Sequence, residues 1–495
     1  MDAKSIIKDI VATIKETSSV YLYDNPQEVD EWNSWYKGKV DSFHNYVIYN
    51  GKKSVKCERA SMQMAKKVCE DWADLLINEK TDIGLDSQQA QKTLYEVLEE
   101  IKFWKKANKG IEKAFALGMG ALVLNVNKIS LDQDGNIIRD TGKVDLQFAN
   151  RTQIVPITID NDGITECAFI NECSDHTEIS VHLLDKSGFY RIHNIVAKGS
   201  GSNLSFDIQN PSDYWEFNTL SDKKWFFILQ PNIVNNIDIN SPFGISIFAN
   251  SIDKLKFLDI VFDGYNVEFL LGRKRIFISA ANQQVDTATG EIIDVFDSRD
   301  VVFYMLPEGA DGKPYIQNDT QELRTTSFND AIQRGLDMLS DGVGFGQKHY
   351  KFDSGSVATA TQVISENSKL FRTLKKHEIL IEDVLIEFVK TLCYALNKFT
   401  PIQIKEPNNV EIKFDDSIIE DKKSEKENDR LDVALNVMSK VEYRMKWYNE
   451  DRKTAEKNLE EISEYSLPDY EPSDNDKSNE DNKSDTNTED EDNVK

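Results

Sequence analysis

Apolar positions recur at a helical period through residues 327–399, and this stretch sets the frame for the rest of the chain. Phe328, Ile332, Leu336 and Leu339 fall on one face of a predicted helix. Ser327 is placed to cap it, with Asp330 three residues on in a box-like arrangement. The run Asp341-Gly342-Val343-Gly344-Phe345-Gly346 ends that helix, because three glycines in six residues oppose helix continuation. A mixed loop follows to Ser356. From Val357 to about Phe399 neither Pro nor Gly interrupts the pattern, which predicts a second helix of about forty residues, roughly 60 Å long at 1.5 Å per residue. That exceeds an ordinary globular helix and suits an element that crosses a subunit or serves an assembly.

Elsewhere the period changes several times. Ile6, Ile7, Ile10 and Ile14 predict a short amphipathic helix, with an acidic linker after it to residue 34. A helix is expected over Arg59–Asn78, with Met64, Val68, Trp72, Leu75 and Leu76 on one face and Trp72 in the core. Another is expected over Ser87–Ala116, carrying Leu94, Val97, Leu98, Ile101 and Trp104. Its end bears Lys105, Lys106, Lys109 and Lys113, which complement the helix dipole or hold an acidic partner or DNA. From Ala121 to Leu229 the pattern alternates, with turn signals at Asp134-Gly135-Asn136, Asp162-Gly163 and Ser187-Gly188, so strands are expected. The helix reaching Leu271 has a stripe of Leu255, Leu258, Phe262, Tyr265 and Phe269, but Phe257, Ile260, Val261 and Val267 populate other faces. A helix apolar on several faces is buried on several sides. Residues 276–325 then read as a small module, with strands at Arg275–Ala280 and Val301–Leu306, inserted between two helices that would otherwise form a hairpin. Beyond Pro401 come a strand at Val410–Phe414, a charged helix with Leu431, Val433, Leu435, Val437 and Met438, and a helical piece from Tyr443 to Ile462. From Ser466 the chain lacks the apolar content to order itself.

Charge and composition narrow the function classes. The net charge of −26 argues against a protein that wraps DNA through many phosphate contacts and fits an acidic channel or solvated surface. Eleven acidic residues against three lysines over 469–495 supply −8 of it. Five scattered cysteines (57, 69, 167, 173, 393) read as reduced thiols. The first ten residues lack a signal-peptide layout, and the longest apolar run, Ala114–Val126, is too short and broken to span a bilayer. Asp132–Gly135 and Asp160–Gly163 fall short of a calcium loop and read as hairpin turns. Cys167, Cys173, His176 and His182 have C-x5-C-x2-H-x5-H spacing, which is not that of a zinc finger, and no metal is expected there. The chain carries no G-x-x-x-x-G-K-[ST], no H-E-x-x-H and no G-x-S-x-G, so no enzyme is indicated and no cofactor is expected.

Leu339-Ser340, Gly344, Phe352-Asp353, Thr359–Val363, Ser365–Ser368 and Arg372–His377 together resemble the core of the tailed-phage portal protein family, in the branch of siphophages and prophages of Gram-positive bacteria. Trp72–Glu79 and Ile239–Ser246 add to the resemblance, which spans about Trp35 to Tyr465. It implies an elongated α+β subunit. The corresponding parts are a wing over 1–250, stem helices over 251–272 and 326–342, and a clip over 273–325 between them. A tunnel loop over 343–356, a long wing helix and strand over 357–415, a crown over 416–465 and a disordered acidic tail over 466–495 complete the chain. It further implies a homo-oligomeric ring, expected to be twelve-fold, at one capsid vertex of the virion, assembled in the host cytoplasm and not in a membrane. Double-stranded DNA would pass through the ring. The terminase large subunit, a head completion or adaptor protein, and the major capsid and scaffolding proteins would be its partners. Within this frame Lys348, His349, Tyr350 and Lys351 are expected to touch DNA. Asp330, Asp337 and Asp341, spaced i, i+7, i+11 on one helix face, are expected to line the channel. The competing reading is an acidic metal-dependent nuclease, which accounts only for the carboxylates.

Overall fold

The computed structural model describes residues 1–24, 26–49, 53–78, 81–128, 130–131, 137–138, 142–160, 163–239, 241, 243–272, 275–279, 284–285, 288–289, 292–293, 302–306, 316–319, 322–351, 360–414, 422–448 and 450–464. The turns at 132–136 and 161–162, residues 352–359 and the tail from 465 lie outside them. The chain divides into two compact units, Met1–Ile419 and Glu420–Lys495. Both helices and mostly antiparallel sheets build the first unit, which makes the fold α+β.

In the first unit, α1 (Ala3–Lys15) starts where the Asp2 carboxylate accepts from the Ser5 amide at 2.7 Å. Its buried face, Ile6, Ile7, Ile10 and Val11, packs with Val155, Ile179, Val181 and Ile195 of the larger sheet. The expected acidic linker contains a further helix, α2 (Glu28–Tyr36). Its acidic residues Glu28, Asp30 and Glu31 occupy the first turn, where they complement the dipole, while Val29, Trp32 and Trp35 are buried. After the short α3 (Asp41–His44) the chain forms a hairpin of Asn45–Tyr49 with Ser54–Glu58. The next helix, α4 (Met64–Leu76), therefore begins later than the predicted Arg59, after Gln63 in the left-handed region at φ 54°. The single helix expected over 87–116 is two, α5 (Gln88–Glu100) and α6 (Phe103–Leu117), separated at Lys102 with φ 56°. The physical reason is a change of phase. The stripe of Leu94, Val97, Leu98 and Ile101 does not continue into that of Phe103, Ala107, Ile111 and Ala114, so one straight helix cannot bury both.

The alternating region folds as predicted into strands. Phe226–Leu229, Gly120–Asn127 and Lys143–Asn150 form one antiparallel sheet. The other has the order Tyr214–Asn218, Tyr190–Lys198, His176–Leu184, Gly163–Glu172, Ile154–Asp160. Among its described residues the inserted module holds a three-stranded sheet, in which Arg275–Ser279 runs parallel to Val302–Leu306 and antiparallel to Ile316–Asp319, and a two-stranded one of Gln284–Val285 with Ile292–Ile293. It joins α7 (Ile252–Leu271) to α8 (Thr325–Gly342). The long α9 (Ala360–Phe399) runs through the main core. Leu374, Ile381, Leu385, Phe388 and Leu392 are buried on it, and Phe388 stacks on Phe103 at 5.1 Å. The strand expected at Val410–Phe414 is observed over Val410–Lys413, where it pairs with Asp82–Leu85.

Among its described residues the second unit holds α10 (Lys422–Ala434), α11 (Lys440–Tyr448) and α12 (Arg452–Glu464). The helical piece expected as continuous from Tyr443 to Ile462 is thus interrupted after Tyr448. Polar contacts hold the break: Arg444 pairs with Glu450 at 2.7 Å, and the Trp447 indole donates to Asp429 at 2.7 Å. Leu431, Leu435 and Val437, apolar in sequence, stay exposed in this unit.

Candidate nucleic-acid interface: the hairpin of α7 and α8 and the loop after it

α7 and α8 run antiparallel in close contact, and the sequence permits the approach through small residues. A Cβ on Gly335 would lie 2.6 Å from Leu258 Cδ2, and one on Gly264 would touch the Phe328 ring. Tyr265 stacks on Phe328 at 5.2 Å. At the far end Arg324 forks onto Glu268 with contacts of 2.6 and 3.1 Å, and this hydrogen bonding holds the Glu268 carboxyl below its ordinary range. That fork sits at the start of α8 and explains why the helix begins at Thr325, two residues before the predicted Ser327 cap. At the near end, two acidic residues of α7 seize the segment before α4. Asp259 contacts His44 Nε2 at 3.0 Å and accepts from the Met62 amide at 2.8 Å. Asp263 accepts from the Ala60 amide at 3.1 Å and the Tyr46 hydroxyl at 3.2 Å.

The predicted stripe of α7 is only half used. Leu255 and Leu258 are buried and Tyr265 meets α8, but Phe269 is exposed. On the remaining faces Phe257, Ile260, Val267 and Leu270 stand exposed too, Ile260 at 50% and Leu270 at 58%.

The three aspartates share a face of α8 away from its buried side, which is Ile332, Gly335, Leu336, Leu339 and Ser340. Asp330 is exposed. Asp337 is half-buried and accepts from Gln333 Nε2 at 3.0 Å. Asp341 is exposed and paired with Lys369 of α9, whose ammonium also donates to the Asp341 carbonyl at 2.9 Å.

The loop leaves α8 with Val343 and Phe345 both buried. Phe345 lies between two rings, stacked on Trp72 at 4.6 Å and on His349 at 4.2 Å. The Trp72 indole donates to the Val343 carbonyl at 3.1 Å. Gly344 has φ +95°, and a Cβ there would lie 2.6 Å from Thr373 Cγ2, so both backbone and space demand glycine. Lys348 follows at φ 65°, exposed, and Lys351 is exposed as well. The other two predicted contact residues are tied down. Desolvation in the stack pushes the His349 imidazole below its ordinary value, Asp71 opposing. Tyr350 donates its hydroxyl to Asp71 at 2.8 Å, while its carbonyl accepts from Gln333 at 2.9 Å. Burial and the neighbouring Asp71 raise the Tyr350 phenol well above its ordinary value. Thus all four residues share one turn, with Lys348, His349 and Lys351 exposed and Tyr350 half-buried. The part of the loop expected over 352–356 lies outside the described residues.

The lysine patch on α6 is partly committed inside the subunit. Lys106 bonds Asp145 at 2.9 Å and the Leu146 carbonyl at 2.6 Å, and Lys113 sits over the Phe148 ring. Sequence reasoning missed the Trp72–Phe345 stack, the Asp71 anchor and the Lys369–Asp341 tie. No local pattern encodes them, since Asp71 and Tyr350 lie 279 residues apart. Among the described residues no helix is long and apolar enough to cross a membrane. The nuclease alternative gains no support from the described residues.

The sequence profile of the family described as "Phage portal protein, SPP1 Gp6-like" matches residues 23–487. None of the curated proteins matches the chain. Two solved structures are similar over most of it, each at 10% identity and covering 89% of this chain and 98% of the other. One is from the neck of a native gene transfer agent particle computed with C12 symmetry, with a TM-score of 0.40; the other is from a gene transfer agent virion, with a TM-score of 0.41. The profile match covers almost all of the described fold, including α7, α8, α9 and the loop between the last two, and the chain belongs to the SPP1 Gp6-like family of phage portal proteins.

Proposed function

We propose that this portal protein works as a twelve-membered ring at one capsid vertex, with double-stranded DNA passing through its centre during packaging and ejection. The observation that carries the ring is the outward apolar surface of α7, where Phe257, Ile260, Val267 and Leu270 are exposed in the single subunit. Several exposed apolar side chains grouped on one side of a helix fit a protein interface. A second copy of α7 and α8 against this face buries it, and repetition around an axis gives each copy the same two neighbours. In this reading α7 and α8 are the stem, the module between them is the clip, and α10 to α12 form the crown. The clip presents its sheet to the terminase large subunit and later to a head completion protein, and the major capsid and scaffolding proteins meet the wing.

The channel reading assigns a face to each charge. Asp330, Asp337 and Asp341, repeated around the ring, line the channel with negative charge so that DNA does not adhere. Lys348 and Lys351 on the turn after α8 offer weak contacts to phosphates, which position the duplex without reading its sequence. His349 and Tyr350 sit between the lysines as further contacts, and Tyr350 also holds the turn to α4 through Asp71. The role is structural, and ATP hydrolysis belongs to the motor partner. The test is size in solution. Twelve copies of the 56.6 kDa chain amount to about 680 kDa by light scattering. Ile260→Asp with Val267→Asp is expected to yield monomers that keep their helical circular dichroism. A wild-type chain that stays monomeric at high concentration, with a ring absent by negative stain, would overturn the reading.

A further inference from the structure

The four Cys and His residues of the C-x5-C-x2-H-x5-H set separate in the fold. Cys167 and His182 are register partners on adjacent strands, fully buried, with the His182 ring against Phe169 and Phe226. Cys173 and His176 instead flank the two-residue turn Ser174-Asp175, closed by the Cys173 amide donating to the His176 carbonyl at 2.9 Å. Strand alternation then brings in a residue that the spacing could not reveal. Glu178 lies two residues beyond His176 on the same face and pairs in register with Asn171, which lies two residues before Cys173. Cys173, His176 and Glu178 each offer one ligand atom, and the three atoms lie within 4.8 Å of one another.

The groups behind these donors are arranged as well. His176 Nδ1 is 2.8 Å from Asp175 Oδ1, which leaves Nε2 facing Glu178 Oε1 at 3.5 Å. Two ligands of a tetrahedral ion with bonds of about 2.0 Å stand roughly 3.3 Å apart, so the imidazole and carboxylate are already close to the required separation. Asn171 Nδ2 donates to the other carboxylate oxygen of Glu178 at 2.9 Å, turning Oε1 toward the histidine. A carboxylate behind a histidine and an amide behind a carboxylate are the outer partners that orient metal ligands. An imidazolium held between two carboxylates would account for Asp175, His176 and Glu178, but not for a thiol on the same face at the same point.

We propose that Cys173, His176 and Glu178 bind a zinc-class divalent cation at the tip of this hairpin, with Asp175 and Asn171 as positioning residues and water as the fourth ligand. One thiolate, one imidazole and one carboxylate form a borderline donor set that favours zinc over the hard cations. Three protein ligands leave one position open, on a turn where His176 and Glu178 are both reachable from solvent. Bound there, the ion ties the two strands together across the turn. The proposal does not depend on ring assembly, because all five residues come from one subunit.

The test uses the full chain, reduced and stripped with chelator, and titrated with cobalt(II) and then zinc(II). Expected are one cobalt per subunit, a sulfur-to-cobalt charge-transfer band with four-coordinate visible bands, and displacement by one equivalent of zinc. Cys173→Ser abolishes the charge-transfer band, whereas Cys57→Ser, at the other half-buried thiol, leaves it intact. Asp175→Asn keeps the band but lowers affinity by about 10- to 100-fold. Circular dichroism of each variant separates loss of the site from loss of the fold. Absence of the thiolate band in reduced wild-type protein, or its persistence in Cys173→Ser, would refute the site.

Discussion

Tyr350→Phe tests how the candidate DNA-facing turn is held. The substitution removes one atom, the hydroxyl that donates to Asp71 at 2.8 Å, and keeps the ring that meets Phe345 and His349 edge-on. A hydrogen bond to a charged group contributes about 1.5–3 kcal/mol. Here the loss falls below that range, because Asp71 keeps its contact with Lys67 at 2.6 Å and is not left without a partner. About 1 kcal/mol remains, which is roughly a fivefold rise in the equilibrium for local opening. Hydrogen exchange is the assay. Amides over 344–351 should exchange about fivefold faster, while those of α4 and α9 keep their rates. The melting temperature should fall by less than about 2 °C, given the size of the unit. Asp71→Asn alone should reproduce part of the effect, and the double variant should show little more than either single one, since both remove one contact. Unchanged exchange in the turn would mean that the Phe345 stack alone holds it. Faster exchange throughout α4 would mean that the hydroxyl supports the core and not the turn. Either result would defeat the anchoring argument.

Lys348→Ala with Lys351→Ala should assemble normally but package poorly or leak packaged DNA, read by encapsidated DNA per particle. Asp330, Asp337 and Asp341 replaced together by Asn should leave assembly intact and alter packaging rate. The lost Asp341–Lys369 pair is exposed and should cost less than about 1 kcal/mol in a denaturant titration. Truncation after Leu467 should leave the ring intact by light scattering, because the removed sequence offers no apolar face. His377 should make the protein acid-sensitive. It is buried against Trp72 and Phe115, its Nδ1 accepts from the Asn232 amide at 3.0 Å, and burial pushes its pKa down from 6.5 to about 3. Its contribution is complete above pH 6.5, where folded and unfolded forms are both neutral, and is lost as pH falls toward 3, by about 1.4 kcal/mol per pH unit. His377→Gln should flatten that part of the curve of unfolding free energy against pH.

The elements most legible in the sequence are those whose signal is local and repeated. The long helix over 360–399, the strands over 120–229 and the sheet between α7 and α8 are each written in a run of spacings. The errors arise where two causes of one pattern compete. Glu28, Asp30 and Glu31 suggested a linker because acidity is common in linkers, but at a helix start the same charges stabilise the first turn. The break between α5 and α6 has no Gly or Pro to announce it and shows only as a rotation of the apolar stripe. The candidate site was readable as composition and not as geometry. Glycines and lysines marked the turn after α8, but nothing near Tyr350 in the chain named Asp71 as its partner.

The multi-faced apolar pattern of α7 shows what a sequence can and cannot say about assembly. Read alone, it states that the helix is covered on several sides, and a core helix would satisfy that as well as an interface helix. The fold covers some of its faces within the subunit and leaves others exposed. Leu255 and Leu258 are covered by the main core, Tyr265 by Phe328 of α8, and Asp259 and Asp263 by the segment that precedes α4. What is left on the far side, Phe257, Ile260, Val267 and Leu270, is apolar and exposed in a chain with a net charge of −26. Strong like charge opposes non-specific association of such subunits, so a stable contact between them has to be short-ranged and well matched in shape. In the proposed ring, an apolar face of α7 meeting the adjacent copy would supply that contact. If the assembly is held in this way, raising the salt concentration should strengthen it. Screening weakens repulsion between acidic subunits and leaves apolar burial in place. A ring that instead dissociates steadily as sodium chloride rises, followed by light scattering, would show that ion pairs hold the subunits together and that the exposed face of α7 does not.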